Sequence, residues 1–159
     1  MKPFSSPAQE AFLNLQRTAD ALMRGLEETL KPSGLTQTQY NVLRILRGAG
    51  SGGLLCRQVS ERMVTCEPDM TRLLDRLESR KLVTRSRDRK DRRAVSVRIT
   101  SHGVATVARL DEPIEELHRR QLSHLGSTRI RGLIALLEAA RVKVEETKTR
   151  KHKPGGGKR

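Results

Sequence analysis

Aromatic side chains are almost absent from this sequence of 159 residues, which has no Trp, one Tyr and two Phe. Proteins that bind RNA or single-stranded DNA usually stack bases on aromatic side chains, so this composition argues against that class. Long apolar runs are also absent, which argues against a transmembrane helix, and the N-terminal segment MKPFSSPAQE lacks the apolar core of a signal peptide. We therefore expect a cytoplasmic protein with no membrane partner.

Cysteine is scarce, since Cys56 and Cys66 are the only two in the chain. Two cysteines do not form a disulfide framework in a chain of this size, and their spacing, with no nearby histidine, argues against zinc. The sequence contains no Ser/His/Asp set, paired carboxylates or phosphate-binding loop. We expect no cofactor, no metal and no enzyme activity.

Positive charge is abundant and unevenly distributed. Lys and Arg number 32 against 18 Asp and Glu, which gives a net charge of +14 and a pI near 11.0. Residues 80–98 hold nine basic and two acidic groups, and residues 141–159 hold eight basic and two acidic groups. A polyanionic partner, nucleic acid in the first place, is indicated.

The N-terminal half has the apolar periodicity of helices. Seven apolar residues between Phe12 and Leu30 recur at helical spacing, and Pro32 and Gly34 should end that helix. Thr36 is expected to cap a second helix, and the glycine-rich stretch Gly48–Gly53 is expected to be a loop.

A helix-turn-helix motif is predicted next. It consists of a short helix around Arg57–Met63, a break at Val64–Thr65–Cys66 and a longer helix at Glu67–Lys81 with Pro68 in its first turn. The longer helix has an apolar stripe and an opposite polar face. On that face lie Thr71, Arg72, Asp75 and Arg76.

A β-hairpin follows the motif directly. Residues Val95–Ile99 alternate between apolar and polar, which predicts a half-buried strand, and Val83–Arg87 can pair with them. The connection Asp88–Arg93 has six charged residues and no apolar one, which is typical of a protruding tip. A basic hairpin in this place is a wing.

Two further helices complete the pattern. Thr100 or Ser101 should cap the first of them, Pro113 should kink it, and the chain after Glu146 is expected to be a disordered basic arm. Apolar stripes on the terminal helices have no partner within one chain, so a second copy should bury them. The stripes include Leu15, Leu22, Leu26, Leu133, Ile134 and Leu137.

The predicted fold is therefore mainly α with a small β-hairpin. Residues 35–100 form a winged helix-turn-helix domain, residues 1–34 and 101–146 form a helical dimerisation region, and residues 147–159 form the basic tail.

Four stretches of this sequence resemble the MarR (multiple antibiotic resistance) family of bacterial regulators: LTQTQYNVLRIL (35–46), TRLLDRLESRKLVTR (71–85), DRKDRRAVSVRIT (88–100) and SHG (101–103). The resemblance implies a homodimer that binds inverted-repeat double-stranded DNA, with the recognition helix in the major groove and a wing arginine in the minor groove. It also raises a small aromatic or phenolic effector as a partner. The sequence departs from the family pattern at Val64, Cys66, Glu67, Asp69 and Lys81.

Candidate DNA contacts follow from the polar helix face and the wing. Arginine can bridge guanine O6 and N7, and a threonine methyl can touch a thymine methyl. Two interpretations of Glu67 and Asp69 stay open, because either side chain can accept from cytosine N4 or simply favour the helix N-terminus. The recognition-helix set is Glu67, Pro68, Asp69, Thr71, Arg72, Asp75 and Arg76, and the wing set is Arg85, Arg87, Arg89, Lys90, Asp91, Arg92 and Arg93, in which Asp91 is expected to aim Arg93.

The leading hypothesis is a homodimeric, sequence-specific transcriptional regulator, in most cases of this kind a repressor, associated with the bacterial nucleoid. One alternative is a sequence-tolerant architectural protein that uses the wing and tail on phosphates. Another is a redox sensor that uses Cys56 or Cys66, since both are predicted near helix N-termini, where thiol pKa values fall.

Overall fold

The computed structural model describes residues 6–65, 67–87 and 95–151, with side chains as far as residue 142. Two compact units are present, Met1–Leu117 and His118–Arg159. The prediction of a mainly helical winged helix-turn-helix is confirmed. The elements are α1 Pro7–Leu30, α2 Gln37–Gly48, β1 Leu54–Leu55, α3 Cys56–Arg62, α4 Met70–Ser79, β2 Val83–Arg87, β3 Val95–Ile99, α5 Ser101–Leu122 and α6 Gly126–Lys151.

The first two helices begin and end where local chemistry predicts. A 3₁₀ turn after α1 ends at Gly34, whose φ of 63° is the left-handed conformation that glycine adopts readily. Thr36 and Gln39 then form a capping box, in which Thr36 Oγ1 accepts from the Gln39 N–H at 3.2 Å and Gln39 Oε1 accepts from the Thr36 N–H at 3.1 Å. The capping prediction for Thr36 is confirmed.

The glycine-rich stretch contains more regular structure than predicted. Helix α2 includes Gly48, and Gly50–Gly52 form a 3₁₀ turn rather than a plain loop. The stretch leads into β1, which pairs with β3 through Leu54 and Val97, so the sheet has three antiparallel strands in the order β1-β3-β2. A strand of two residues is too short to have a recognisable alternation, and only its partner in the sheet defines it.

The hairpin is confirmed with the predicted bounds. Strands β2 and β3 pair antiparallel from Val83 opposite Ile99 to Arg87 opposite Val95. Its tip, residues 88–94, lies outside the described residues, and with it the predictions for Asp91 and Arg93.

The longer helix of the helix-turn-helix is shorter than predicted, since α4 spans Met70–Ser79 instead of Glu67–Lys81. Proline disfavours helical geometry in the residue before it, and Asp69 caps the helix by accepting the Arg72 N–H at 3.0 Å. At the other end, Lys81 has a φ of 56°, and the N–H groups of Lys81 and Leu82 donate to the carbonyls of Glu78 and Leu77. This is the Schellman pattern that ends a helix, and it normally has glycine in the place of Lys81.

Helix α5 begins at a tight junction with the sheet. Thr100 Oγ1 accepts the Gly103 N–H at 2.9 Å and donates to the carbonyl of Lys81 at 2.7 Å, so Thr100 is the cap. The helix continues through Pro113. The core of this unit joins both helices of the helix-turn-helix, the sheet and α5, and its fully buried side chains are Leu30, Val42, Leu43, Leu46, Val59, Leu74, Leu77, Leu82, Val83, Val97 and Val107.

Helix α6 ends later than predicted. The backbone stays helical to Lys151, five residues past Glu146, so the expectation of disorder from residue 147 is wrong for Thr147–Lys151. The reason is that these residues contain no helix breaker; the first is Pro154. Over the described part of the chain, no helix has the length and apolar character needed to cross a membrane.

Candidate nucleic-acid interface

Helix α4 has one buried and one exposed face. Leu73, Leu74 and Leu77 are buried in the core. The predicted DNA-contacting side chains Thr71, Arg72, Asp75 and Arg76 are all exposed, because residues three and four apart lie on the same side of a helix. The structure therefore brings these four residues together on one surface.

The two carboxylates before α4 accept backbone N–H groups at the start of the helix, Asp69 in its first turn and Glu67 at the capping residue Asp69. Asp69 Oδ1 accepts the Arg72 N–H, and Glu67 Oε1 accepts the Asp69 N–H at 3.3 Å. Of the two interpretations left open by the sequence, these contacts favour the one in which both carboxylates stabilise the helix N-terminus. Glu67 and Pro68, predicted within the helix, precede it.

Arg85 on β2 binds two carboxylates of α4. Its Nη2 lies 2.6 Å from Asp75 Oδ1 and 2.6 Å from Glu78 Oε2, and its Nε donates to Glu78 Oε2 at 2.8 Å. The Arg85 N–H also donates to Glu78 Oε1 at 2.9 Å. These hydrogen bonds hold the pKa of Glu78 below its ordinary value and raise the pKa of Arg85. Asp75 and Arg85, both predicted DNA contacts, are thus paired with each other.

Other arginines of the basic segment also make contacts within the protein. Arg80 donates to the carbonyls of Gly34 and Ser33 at 2.7 and 2.8 Å, and Arg98 donates to the carbonyl of Gly52 at 3.4 Å. Arg80 therefore joins the end of α4 to the turn after α1. The net charge of residues 80–98 overstates the cations available to a partner.

Three of the predicted DNA-contacting side chains remain available within the described part of the chain. Thr71, Arg76 and, at the end of β2, Arg87 are exposed and make no side-chain hydrogen bond or ion pair within the described residues. Arg72 is also exposed, and its Nε lies 3.9 Å from Asp69 Oδ2, which is a long distance for an ion pair. The remaining predicted wing residues, Arg89, Lys90, Asp91, Arg92 and Arg93, lie outside the described residues.

The thiol of Cys56 is partly buried and packs against the core. Burial against the core raises its pKa, and this outweighs the lowering effect of Arg85 nearby. The expectation that a helix N-terminus lowers this pKa is therefore wrong, because desolvation is the larger effect. Cys66 lies outside the described residues, and no cluster of metal-ligating side chains occurs among those that are described.

Comparison with known proteins identifies the chain. A model of the MarR family matches residues 33–94. The crystal structure of a MarR transcription factor from Planctomyces limnophilus is 40% identical, with a TM-score of 0.67 over 86% of this chain and 99% of that chain. The chain belongs to the MarR family.

Two other proteins extend this comparison. The HTH-type transcriptional repressor MdtR of Bacillus subtilis is 30% identical over 103 residues, which are 65% of each chain. A mutant MarR from E. coli, solved in complex with operator DNA, has a TM-score of 0.78 over 87% of this chain and 99% of that chain, and at 24% identity it shares the fold. As a MarR-family protein, this chain is a DNA-binding transcriptional regulator, and its family consists of regulators rather than enzymes.

The residues predicted to form a MarR-type dimer interface are not equally exposed. Leu15, Leu133 and Ile134 are exposed, whereas Leu22, Leu26 and Leu137 are half-buried, and Leu26 packs against the core of its own unit. The residues predicted for the interface omit several exposed apolar residues on the same two helices. These are Phe12 on α1 and Leu136 and Val142 on α6, and Leu136 is 71% exposed.

Proposed function

We propose that this protein is a homodimeric repressor that binds an inverted-repeat operator in double-stranded DNA. Helix α4 enters the major groove, and the hairpin of β2 and β3 lies along the flanking backbone. The observation that carries the proposal is the exposed face of α4, where Thr71, Arg72 and Arg76 point away from a core that buries the opposite side. Threonine and arginine are side chains suited to thymine and guanine edges.

Dimerisation is the second part of the proposal. Helices α1 and α6 each expose large apolar side chains, including Leu15 and Ile134, and soluble proteins rarely leave such rows uncovered. A two-fold symmetric dimer would bury them and would present two copies of α4 to two half-sites. Sedimentation at micromolar concentration tests this: we expect a dimer, and an Ile134→Lys variant should be shifted toward monomer. A monomeric wild-type protein would contradict it.

An effector site is the third part. A groove of about 600 Å³ lies where α1 ends and α2 begins, a volume suited to a small molecule. Lys31 is the cation in its lining that would pair with the carboxylate of an aromatic acid, because Arg24 is already paired with Asp20; the lining also holds the carboxylates of Glu27 and Glu28. The groove is lined by Arg24, Glu27, Glu28, Lys31, Gly34, Leu35 and Thr36. The test measures how much operator DNA benzoate releases from the wild-type protein and from a Lys31→Met variant. Weaker release from the variant would support an effector in this groove, whereas equal release from both proteins would place the effector site elsewhere.

The decisive experiment selects bound duplexes from a random pool at physiological salt. We expect an inverted repeat, with an Arg76→Ala variant losing preference at one position of each half-site while keeping the rest. Arg57→Ala is the matched control, because Arg57 is an exposed arginine of α3 paired with Glu61. Selected duplexes with no common sequence would instead support the architectural alternative, for which the ratio of operator to random affinity is near one.

A further inference from the structure

Arg85 occupies an unusual position for a cation of a DNA-binding wing, because most of its donors already have acceptors. Its Nε and Nη2 bind Glu78 and Asp75, and only 26% of its side chain is exposed. A guanidinium has five N–H groups in a planar fork that matches carboxylates, so this arrangement fixes both its position and its orientation.

The backbone takes part in the same contact. The N–H of Arg85 donates to Glu78 Oε1, so a side chain of α4 binds an amide on β2, which is an edge strand of the sheet. One carboxylate thus joins the recognition helix to the wing through both the backbone and the side chain of Arg85. Such a double attachment restrains the angle between α4 and the hairpin.

From these contacts we infer that Arg85 is a positioning residue, which sets the wing at a fixed angle to the recognition helix, and that it does not contact DNA phosphate. This inference rests on the proposed function, since it concerns how the two DNA-contacting elements are held together. Arg85 also neutralises Asp75 and Glu78, which would otherwise present two negative charges beside the surface that approaches DNA.

For Glu78→Ala, the inference predicts a change in operator affinity opposite in direction to the one expected from simple electrostatics. Glu78→Ala removes a negative charge, so long-range attraction alone would tighten binding to every duplex. If Glu78 and Arg85 hold the wing in place, the same substitution weakens operator binding by about tenfold while random-duplex binding stays equal or rises. The ratio of operator to random affinity is therefore the informative quantity.

Arginine-to-lysine substitutions provide a matched pair. Arg87 lies two residues further along the same strand, is exposed and has no acidic partner among the described residues. Lysine retains the charge that a phosphate contact needs but lacks the fork that Arg85 uses. We expect Arg87→Lys to change operator and random-duplex affinity together, so that their ratio stays within about twofold of wild type, and Arg85→Lys to lower that ratio by about tenfold.

The experiment measures both affinities for the full chain and for Glu78→Ala, Arg85→Lys, Arg87→Lys and the Glu78→Ala/Arg85→Lys double variant, with thermal unfolding of each. The double variant should be no weaker than the worse single variant, because the two residues act as a unit. Tighter operator binding by Glu78→Ala, or equal and uniform losses for both lysine variants, would overturn the inference. A wild-type protein with no operator preference would instead reject the proposed function, before any variant is compared.

Discussion

Gly103, in the first turn of α5, lies against the carbonyl of Leu82, just before β2. A Cβ placed on Gly103 would stand 2.2 Å from that oxygen and 2.7 Å from Ile99 Cγ1, much closer than atoms can approach. The same carbonyl accepts the Thr100 N–H at 3.0 Å, so it cannot easily move away. This contact explains why the SHG segment after the hairpin ends in glycine.

We predict that Gly103→Ala lowers the free energy of unfolding by about 3 kcal/mol, at the upper end of what overpacking usually costs. Urea denaturation measures the change. Gly48→Ala is the control, because a Cβ at Gly48 meets nothing within 4 Å and alanine favours the helix. If Gly103→Ala and Gly48→Ala change the free energy of unfolding equally, the prediction that a Cβ at residue 103 is too close to the Leu82 carbonyl is wrong.

Lys81→Gly should stabilise the protein. Lys81 has a φ of 56°, and a residue with a Cβ loses roughly 1–2 kcal/mol in that conformation, whereas glycine loses only part of this through the entropy of the unfolded chain. We expect a net gain of about 0.5–1 kcal/mol in thermal or urea unfolding. Lys81→Ala removes the same side chain without relieving the backbone, so a similar gain in that variant would contradict this explanation.

Asp111 should contribute to stability only above acidic pH. Arg47 donates to both of its oxygens at 2.7 and 2.8 Å, which holds the pKa of this carboxyl below its ordinary value of 3.8. A carboxyl with a lowered pKa in the folded state stabilises the protein above its unfolded pKa, and the contribution is lost as the pH falls through the folded pKa.

At pH 7, therefore, Asp111→Asn should reduce the free energy of unfolding by under about 1 kcal/mol, because the pair is partly exposed to solvent. The difference from wild type should shrink as the pH falls below 3.8. Glu112→Gln, on the next residue of the same helix, is the control and should change the free energy of unfolding at pH 7 by less than about 0.5 kcal/mol, because Glu112 is exposed. If the difference between Asp111→Asn and wild type grows as the pH falls, the pKa of Asp111 is not lowered in the folded protein.

Cys56 should be a slow nucleophile in the folded protein. Burial raises the pKa of its thiol, so little thiolate is present at neutral pH. In a Cys66→Ser background, we expect iodoacetamide at pH 7.5 to label the native protein roughly tenfold more slowly than the urea-unfolded protein. Equal labelling rates, together with loss of DNA binding in peroxide, would favour the redox alternative.

Local chemistry was sufficient to predict much of this fold. The cap at Thr36 uses Gln39, three residues away, and the end of the first helix needs only Pro32 and Gly34. The hairpin has the predicted bounds because Val95–Ile99 alternates apolar and polar residues. Each of these signals lies within a few residues of the structure it determines, so it can be recognised from the sequence alone. The exposed face of α4 was predictable for the same reason, from the helical spacing of its apolar stripe.

Other features depend on partners far apart in the chain. Strand β1 consists of Leu54 and Leu55 and exists because β3, more than 40 residues later, pairs with it. The roles of the arginines were likewise decided by tertiary contacts: Arg80 binds carbonyls 46 and 47 residues away, and Arg85 binds α4 across the turn at Lys81. Composition counts each arginine as one positive charge. Only the folded chain, which places Arg85 between Asp75 and Glu78 and leaves Arg76 unpaired among the described residues, decides which of these charges a partner can reach.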